Sequence, residues 1–94
     1  FIFNDRNKEE IGVQVKHVNG GGEYNGYRDI KGFERSLKQY DLQKGLFITN
    51  GTYKSSHLQL LNQISSEFDI DWIDRRDLSK LINQVQSSSD YLQK

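Results

Sequence analysis

The order of apolar and polar positions divides the 94 residues into short segments. Phe1, Ile2 and Phe3 form a β-type run that ends in the polar cluster Asn4-Asp5-Arg6-Asn7-Lys8, which has the composition of a turn. From Glu10 to Val18 the pattern alternates for most of its length. Ile11, Val13 and Val15 point one way, and Gly12, Gln14 and Lys16 point the other. Residues 1–18 therefore predict an antiparallel hairpin with a long turn.

The stretch Asn19 to Gly26 contains Gly20, Gly21, Gly22 and Gly26, more backbone freedom than a regular element tolerates, and predicts a flexible loop. Over 28–40 the residues Ile30, Phe33, Leu37 and Tyr40 recur at helical spacing, with Lys31, Glu34, Arg35 and Lys38 on the remaining surface. Gly32 inside this helix costs about 1 kcal/mol relative to alanine, which suggests close packing or a nearby ligand. Residues 45–49 form a continuous apolar run that fits a central strand covered on both faces. Asn50-Gly51-Thr52 predicts a turn. Ser55 or Ser56 can cap a second helix that turns Leu58, Leu60, Leu61 and Ile64 to the core. Residues 68–73 alternate as a strand does. Asp74 to Asp77 form a capped start for a last helix with Leu78, Leu81, Ile82 and Val85 on one face. The order β-β-α-β-α-β-α predicts an α/β fold, a mixed sheet flanked by helices. Residues 1–85 are one expected domain and 86–94, with three consecutive serines, a tail or linker.

Composition narrows the function classes. With no cysteine, disulfides and thiolate metal sites are excluded, which is compatible with a cytoplasmic location. The longest apolar run is too short to span a membrane, and no signal peptide is visible. The chain opens at Phe1 and has no methionine, so a domain cut from a larger protein is expected. Net charge is zero, which counts mildly against a nucleic-acid partner. Its distribution softens that objection: residues 11–66 carry seven basic and four acidic side chains, whereas 67–94 carry four basic and six acidic.

Gln14 and Lys16 are the most informative pair. Two residues apart on a strand, they share a face at roughly 7 Å. Lys16 lies in an otherwise apolar strand, so its ammonium must reach solvent or find an anion. A lysine beside a scissile phosphate can hold the attacking water and stabilise developing charge. The amide oxygen of Gln14 is acceptable to a hard divalent cation, though weaker than a carboxylate. The plain alternative is the exposed polar face of an edge strand. Thr49, Asn50, Thr52 and Lys54 follow the central strand, where open α/β sheets meet ligands. They suit phosphate binding and turn chemistry equally. Lys31, Arg35 and Lys38 form a basic stripe that suits either DNA or solvent. Tyr24 and Tyr27 suit base stacking or the pinning of the glycine-rich loop. His17 reads as a structural histidine, and no ligand spacing links it to His57.

Val13-Gln14-Val15-Lys16 in a hairpin, then an amphipathic helix, then Lys44-Gly45-Leu46-Phe47-Ile48-Thr49, resembles the Mrr-like branch of the PD-(D/E)xK nucleases, in its QxK form. Trp72-Ile73-Asp74 followed by Leu78 resembles the closing strand and helix of that family. The resemblance covers about residues 1–85. It implies a restriction-endonuclease-like fold and a DNA endonuclease that uses Mg²⁺ or another divalent cation. Carried over, Gln14 lies in the metal site, Lys16 is the catalytic lysine, and the backbone carbonyl of Val15 is a metal ligand. The family's first acid stands at the start of the preceding strand. Counting back from Gln14 reaches Phe1 or the position before it, so that acid is expected outside the fragment, which alone would be inactive. Asp5 falls in the hairpin turn and fits the role poorly. The resemblance also implies a recognition or motor domain in the parent chain and allows a homodimer. Two other functions stay open: a non-catalytic nucleic-acid-binding or assembly module that retains the fold, and a junction-resolving nuclease.

Overall fold

The computed structural model describes residues 2–4, 9–80 and 82–83. Asp5, Leu81, Val85 and the expected tail lie outside the described residues. Strand β1 (Ile2–Asn4) pairs antiparallel with β2 (Glu10–Lys16), as the alternation predicts, with Ile2 opposite Gly12. A two-residue strand, β3 (Glu23–Tyr24), precedes helix α1 (Tyr27–Gln39), which returns the chain to β4 (Lys44–Thr49), parallel to β2. A second two-residue strand, β5 (Thr52–Tyr53), follows β4. After helix α2 (Leu58–Ser65), strand β6 (Asp69–Ile73) adds parallel to β4. The main sheet has the order β1-β2-β4-β6. A helical segment over 75–80 follows. The mixed α/β architecture is the expected one.

The two short strands were not legible as such. β3, inside the glycine-rich stretch, pairs parallel with β5, which begins at the last residue of the expected turn after β4. Two residues each carry too little pattern to be read alone, and each exists because the other lies beside it. The second helix also begins differently. Ser55–His57 is a single tight turn without a side-chain cap, and Leu58 is 47% exposed rather than part of the core.

Both helices pack against one face of the sheet. Ile30, Phe33 and Leu37 of α1 and Leu61 and Ile64 of α2 join Phe47 and Ile70 in one buried cluster. Phe47 is its centre, with ring centroids 5.3 Å from Phe33, 5.6 Å from Trp72 and 5.9 Å from Tyr24. Gly12 and Gly45 stand opposite one another in the register. A methyl at Gly12 would meet Leu37 at 2.8 Å and one at Gly45 would meet Phe33 at 2.9 Å, so the missing side chains let α1 settle close to the sheet. At Gly32, by contrast, a methyl would find nothing within 4 Å, which removes the close packing expected there.

The register decides which face of β2 is covered. Gly12, Gln14 and Lys16 face α1, while Val15 on the other side is 64% exposed. β2 is flanked by β1 and β4, so it is not an edge strand. The double covering expected of β4 is not seen among the described residues: Gly45, Phe47 and Thr49 are buried, but Leu46 and Ile48 are only half-buried.

Candidate active site

The ends of β2 and β4 and the first turn of α1 converge at one end of the sheet. In the parallel register Gln14 stands beside Phe47, and Lys16 beside Thr49. Gln14 is half-buried and borders a cavity of 260 Å³ together with Phe33, Ser36, Leu37 and Tyr40 of the α1 side. Lys16, two residues on, shares that face of β2 but does not line the cavity. Its side chain is 35% exposed, and its Nζ lies 3.7 Å from Oδ1 of Asp29. The ammonium therefore has both of the outlets that a lysine in such a strand requires, water and an anion.

Asp29 owes its position to the local sequence. It occupies the first turn of α1, where a carboxylate is favoured by the unpaired N–H groups of the helix start. Its Oδ2 accepts a 3.0 Å hydrogen bond from the hydroxyl of Tyr24. Tyr24 reaches it by lying over Gly26: any β-carbon there would fall 2.0 Å from the tyrosine ring. Burial pushes the Tyr24 phenol well above its ordinary range, and the hydrogen bond and charge of Asp29 push it further the same way. The phenol thus stays a donor to Asp29. The sequence marked Tyr24 as a loop anchor or a stacking residue; the buried ring bears out the anchor. Asp29 had no mark. The one available signal was that Lys16 needed an anionic partner.

The loop after β2 is fastened rather than free. Asn50 Oδ1 accepts from the backbone N–H of Val18 at 2.6 Å, and its Nδ2 donates to the Val18 carbonyl at 2.9 Å. Arg75 donates from its guanidinium to the Gly21 carbonyl at 3.1 Å and from its backbone N–H to the Gly51 carbonyl at 2.9 Å. Thr49 is fully buried, and its hydroxyl accepts from the N–H of Gly51 at 3.1 Å. The polar groups of Thr49 and Asn50 are thus engaged in turn chemistry. Lys54 is half-buried just beyond β5.

The basic stripe of α1 does not converge with Lys16. Ile30, Phe33 and Leu37 mark the buried side of the helix, and at about 100° per residue Lys31, Arg35 and Lys38 fall on its outer side. Lys31 pairs with Glu34 at 3.2 Å, and Lys38 pairs with Glu67 at 3.7 Å. From Asp29 to Lys38 is roughly 13 Å along the helix axis, away from the site. His17 is exposed beyond the end of β2. Tyr27 is 52% exposed and leans on the His57 ring at 5.8 Å.

The donors that the resemblance assigns to a divalent cation are the Gln14 amide oxygen and the Val15 carbonyl. Both are neutral, and a hard cation calls for anionic oxygens. Among the described residues no group of three His, Cys, Asp or Glu could hold a metal ion. These residues do not by themselves make a metal site. No helix among them is long and apolar enough to cross a membrane. In comparisons with known proteins, the family model Mrr_cat, described as restriction endonuclease, matches residues 1–82. No curated protein and no solved structure matches the chain.

Proposed function

The chain belongs to the Mrr_cat restriction endonuclease family, a nuclease domain whose substrate is DNA, and we propose that it is the cleavage domain of a restriction-type enzyme. It hydrolyses phosphodiester bonds with the help of a divalent cation, Mg²⁺ in the first instance. The observation that carries this reading is Lys16, an ammonium half-open to solvent at the end of β2 and paired with Asp29. From there Lys16 orients the attacking water and stabilises charge on the phosphate. Gln14 and the Val15 carbonyl contribute neutral oxygens to the metal.

The anionic ligand is an acid upstream of the described strand. The register of β1 supports its place: with Ile2 against Gly12, the position before Phe1 would stand against Gln14. Arg35 and Lys54 contact phosphates, with Lys31 and Lys38 joining once released from their acidic neighbours. The Lys38–Glu67 pair is exposed on both sides, and a pair of that kind is worth about 1 kcal/mol or less and yields readily to a polyanion. Thr49 and Asn50 act by shaping the turn on which these contacts rest. A recognition or motor domain elsewhere in the parent chain, a homodimer for cutting both strands and a cytoplasmic location belong to the same proposal.

A second reading is a binding or assembly module that keeps the fold without chemistry, and the neutral residue at Gln14 is the observation behind it. One experiment separates the two. The parent protein, extended upstream of Phe1, is incubated with plasmid DNA and Mg²⁺ beside Lys16→Ala. Nicking that needs the metal and falls by about a hundredfold or more in the variant supports the nuclease. No cleavage by the folded protein favours the module, and equal cleavage by the variant removes Lys16 from the chemistry.

A further inference from the structure

We propose that Asp29 is a positioning residue for Lys16, held in place by Tyr24. The inference rests on the nuclease reading of Lys16 and adds to it a chain of contacts. Asp29 Oδ1 lies 3.7 Å from the Lys16 ammonium, and Asp29 Oδ2 accepts the Tyr24 hydroxyl at 3.0 Å. Each carboxylate oxygen thus has its own partner. The carboxylate cannot turn toward solvent without losing one of them.

The far end of this chain is rigid. Tyr24 is 6% exposed, its ring packs against Phe47 and Tyr53, and its hydroxyl passes over Gly26, where no side chain intervenes. The near end is mobile by nature, since lysine has a flexible four-carbon stem and three donors. Pairing with Asp29 engages one direction of the ammonium and leaves the others for water and phosphate. The stem is thereby aimed along the α1 side of β2, the side that carries Gln14.

Charge provides the second argument. A carboxylate next to a phosphate-binding lysine repels the substrate and lowers ground-state affinity. If Asp29 were only a surface partner, its neutralisation would leave cleavage unchanged or improve it. A positioning role predicts the opposite division: binding holds or tightens, and turnover falls.

The test uses the full-length parent protein with Mg²⁺ and a plasmid substrate, with duplex binding measured separately in Ca²⁺. Asp29→Asn is expected to lose about tenfold or more in kcat, with duplex affinity unchanged or tighter. Asp29→Glu should recover part of the loss, and Tyr24→Phe should lower kcat in the same sense by a smaller factor. In a Lys16→Ala background, Asp29→Asn should have no further effect, because it acts through the lysine. Wild-type turnover in Asp29→Asn, a parallel loss of affinity and turnover, or losses that multiply in the double variant would each overturn the positioning role. If Lys16→Ala cleaves as wild type does, Lys16 is not the catalytic lysine, and if the wild type cleaves nothing, the nuclease reading fails; in either case this inference falls with it.

Discussion

The side chain of Asn50 closes two hydrogen bonds on the backbone of Val18, accepting its N–H at 2.6 Å and donating to its carbonyl at 2.9 Å. It therefore does what the next residue of a strand would do, and it couples the end of β2 to the turn after β4. Lys16 lies two positions from that staple.

Replacing Asn50 by alanine removes both bonds and takes the Val18 N–H from its partner, while the Val18 carbonyl keeps the Gly21 N–H at 3.0 Å. We expect a stability loss of about 2 kcal/mol, read as a lower denaturant midpoint with an unchanged slope. Asn50→Asp keeps the acceptor and loses the donor, so it should fall between wild type and Asn50→Ala. An Asn50→Ala midpoint equal to wild type would show that the staple carries no net stability.

Gly32 lies inside α1 with open space around the position of a β-carbon. Gly32→Ala should therefore raise stability by about 0.5–1 kcal/mol, since alanine has the higher helix propensity and loses less freedom on folding. Thermal unfolding is the measurement. A lower melting temperature would mean that the helix needs the glycine.

Asp74 is buried at the start of the last helical segment. It accepts from the backbone N–H of Arg76 at 2.9 Å, while Asp77 returns an acceptor to the Asp74 N–H at 3.0 Å. Burial alone would raise its pKa, but the Arg76 guanidinium and the N–H groups of Asp77 and Arg76 outweigh that and hold it below its ordinary value of 3.8. The folded state thus favours the carboxylate. Its contribution is full above the unfolded pKa and is lost as pH falls through the lowered folded value. Asp74→Ala should cost about 1–2 kcal/mol at neutral pH, with the gap to wild type closing in strong acid. A gap of constant size across that range would refute the charge-dependent part.

Among the basic residues, phosphate contact is read from the salt dependence of DNA binding. Arg35→Ala and Lys54→Ala should each lower the slope of log affinity against log salt by about 1. Lys38→Ala, whose ammonium leans on Glu67 at the far end of α1, should change it less. Equal slopes for all four proteins would remove Arg35 and Lys54 from the interface.

Much of this was legible from periodicity. The alternation at Ile11, Val13 and Val15 marked β2, and the spacing of Ile30, Phe33 and Leu37 marked α1 to within a residue at each end. Gln14 and Lys16 stood out because polar groups within an apolar strand need a reason, and the family match over residues 1–82 agrees with the resemblance they carried. The two-residue strands β3 and β5 stayed hidden because each is formed only by the other, from positions far apart in the chain.

The sequence by itself determined the longer elements, their order and the two faces of their strands, because backbone sterics impose periods of two and of 3.6 residues on any buried pattern. It pointed to the wrong face of β2, since alternation buries the apolar side of a strand, here Ile11, Val13 and Val15, whereas α1 covers the side of Gly12, Gln14 and Lys16. Only the tertiary structure decided which face is covered, by seating Leu37 and Phe33 of α1 in the gaps left by Gly12 and Gly45. Asp29 was brought to Lys16 by the same packing. An ion pair between residues on different elements depends on how those elements dock, and local sequence carries no record of docking.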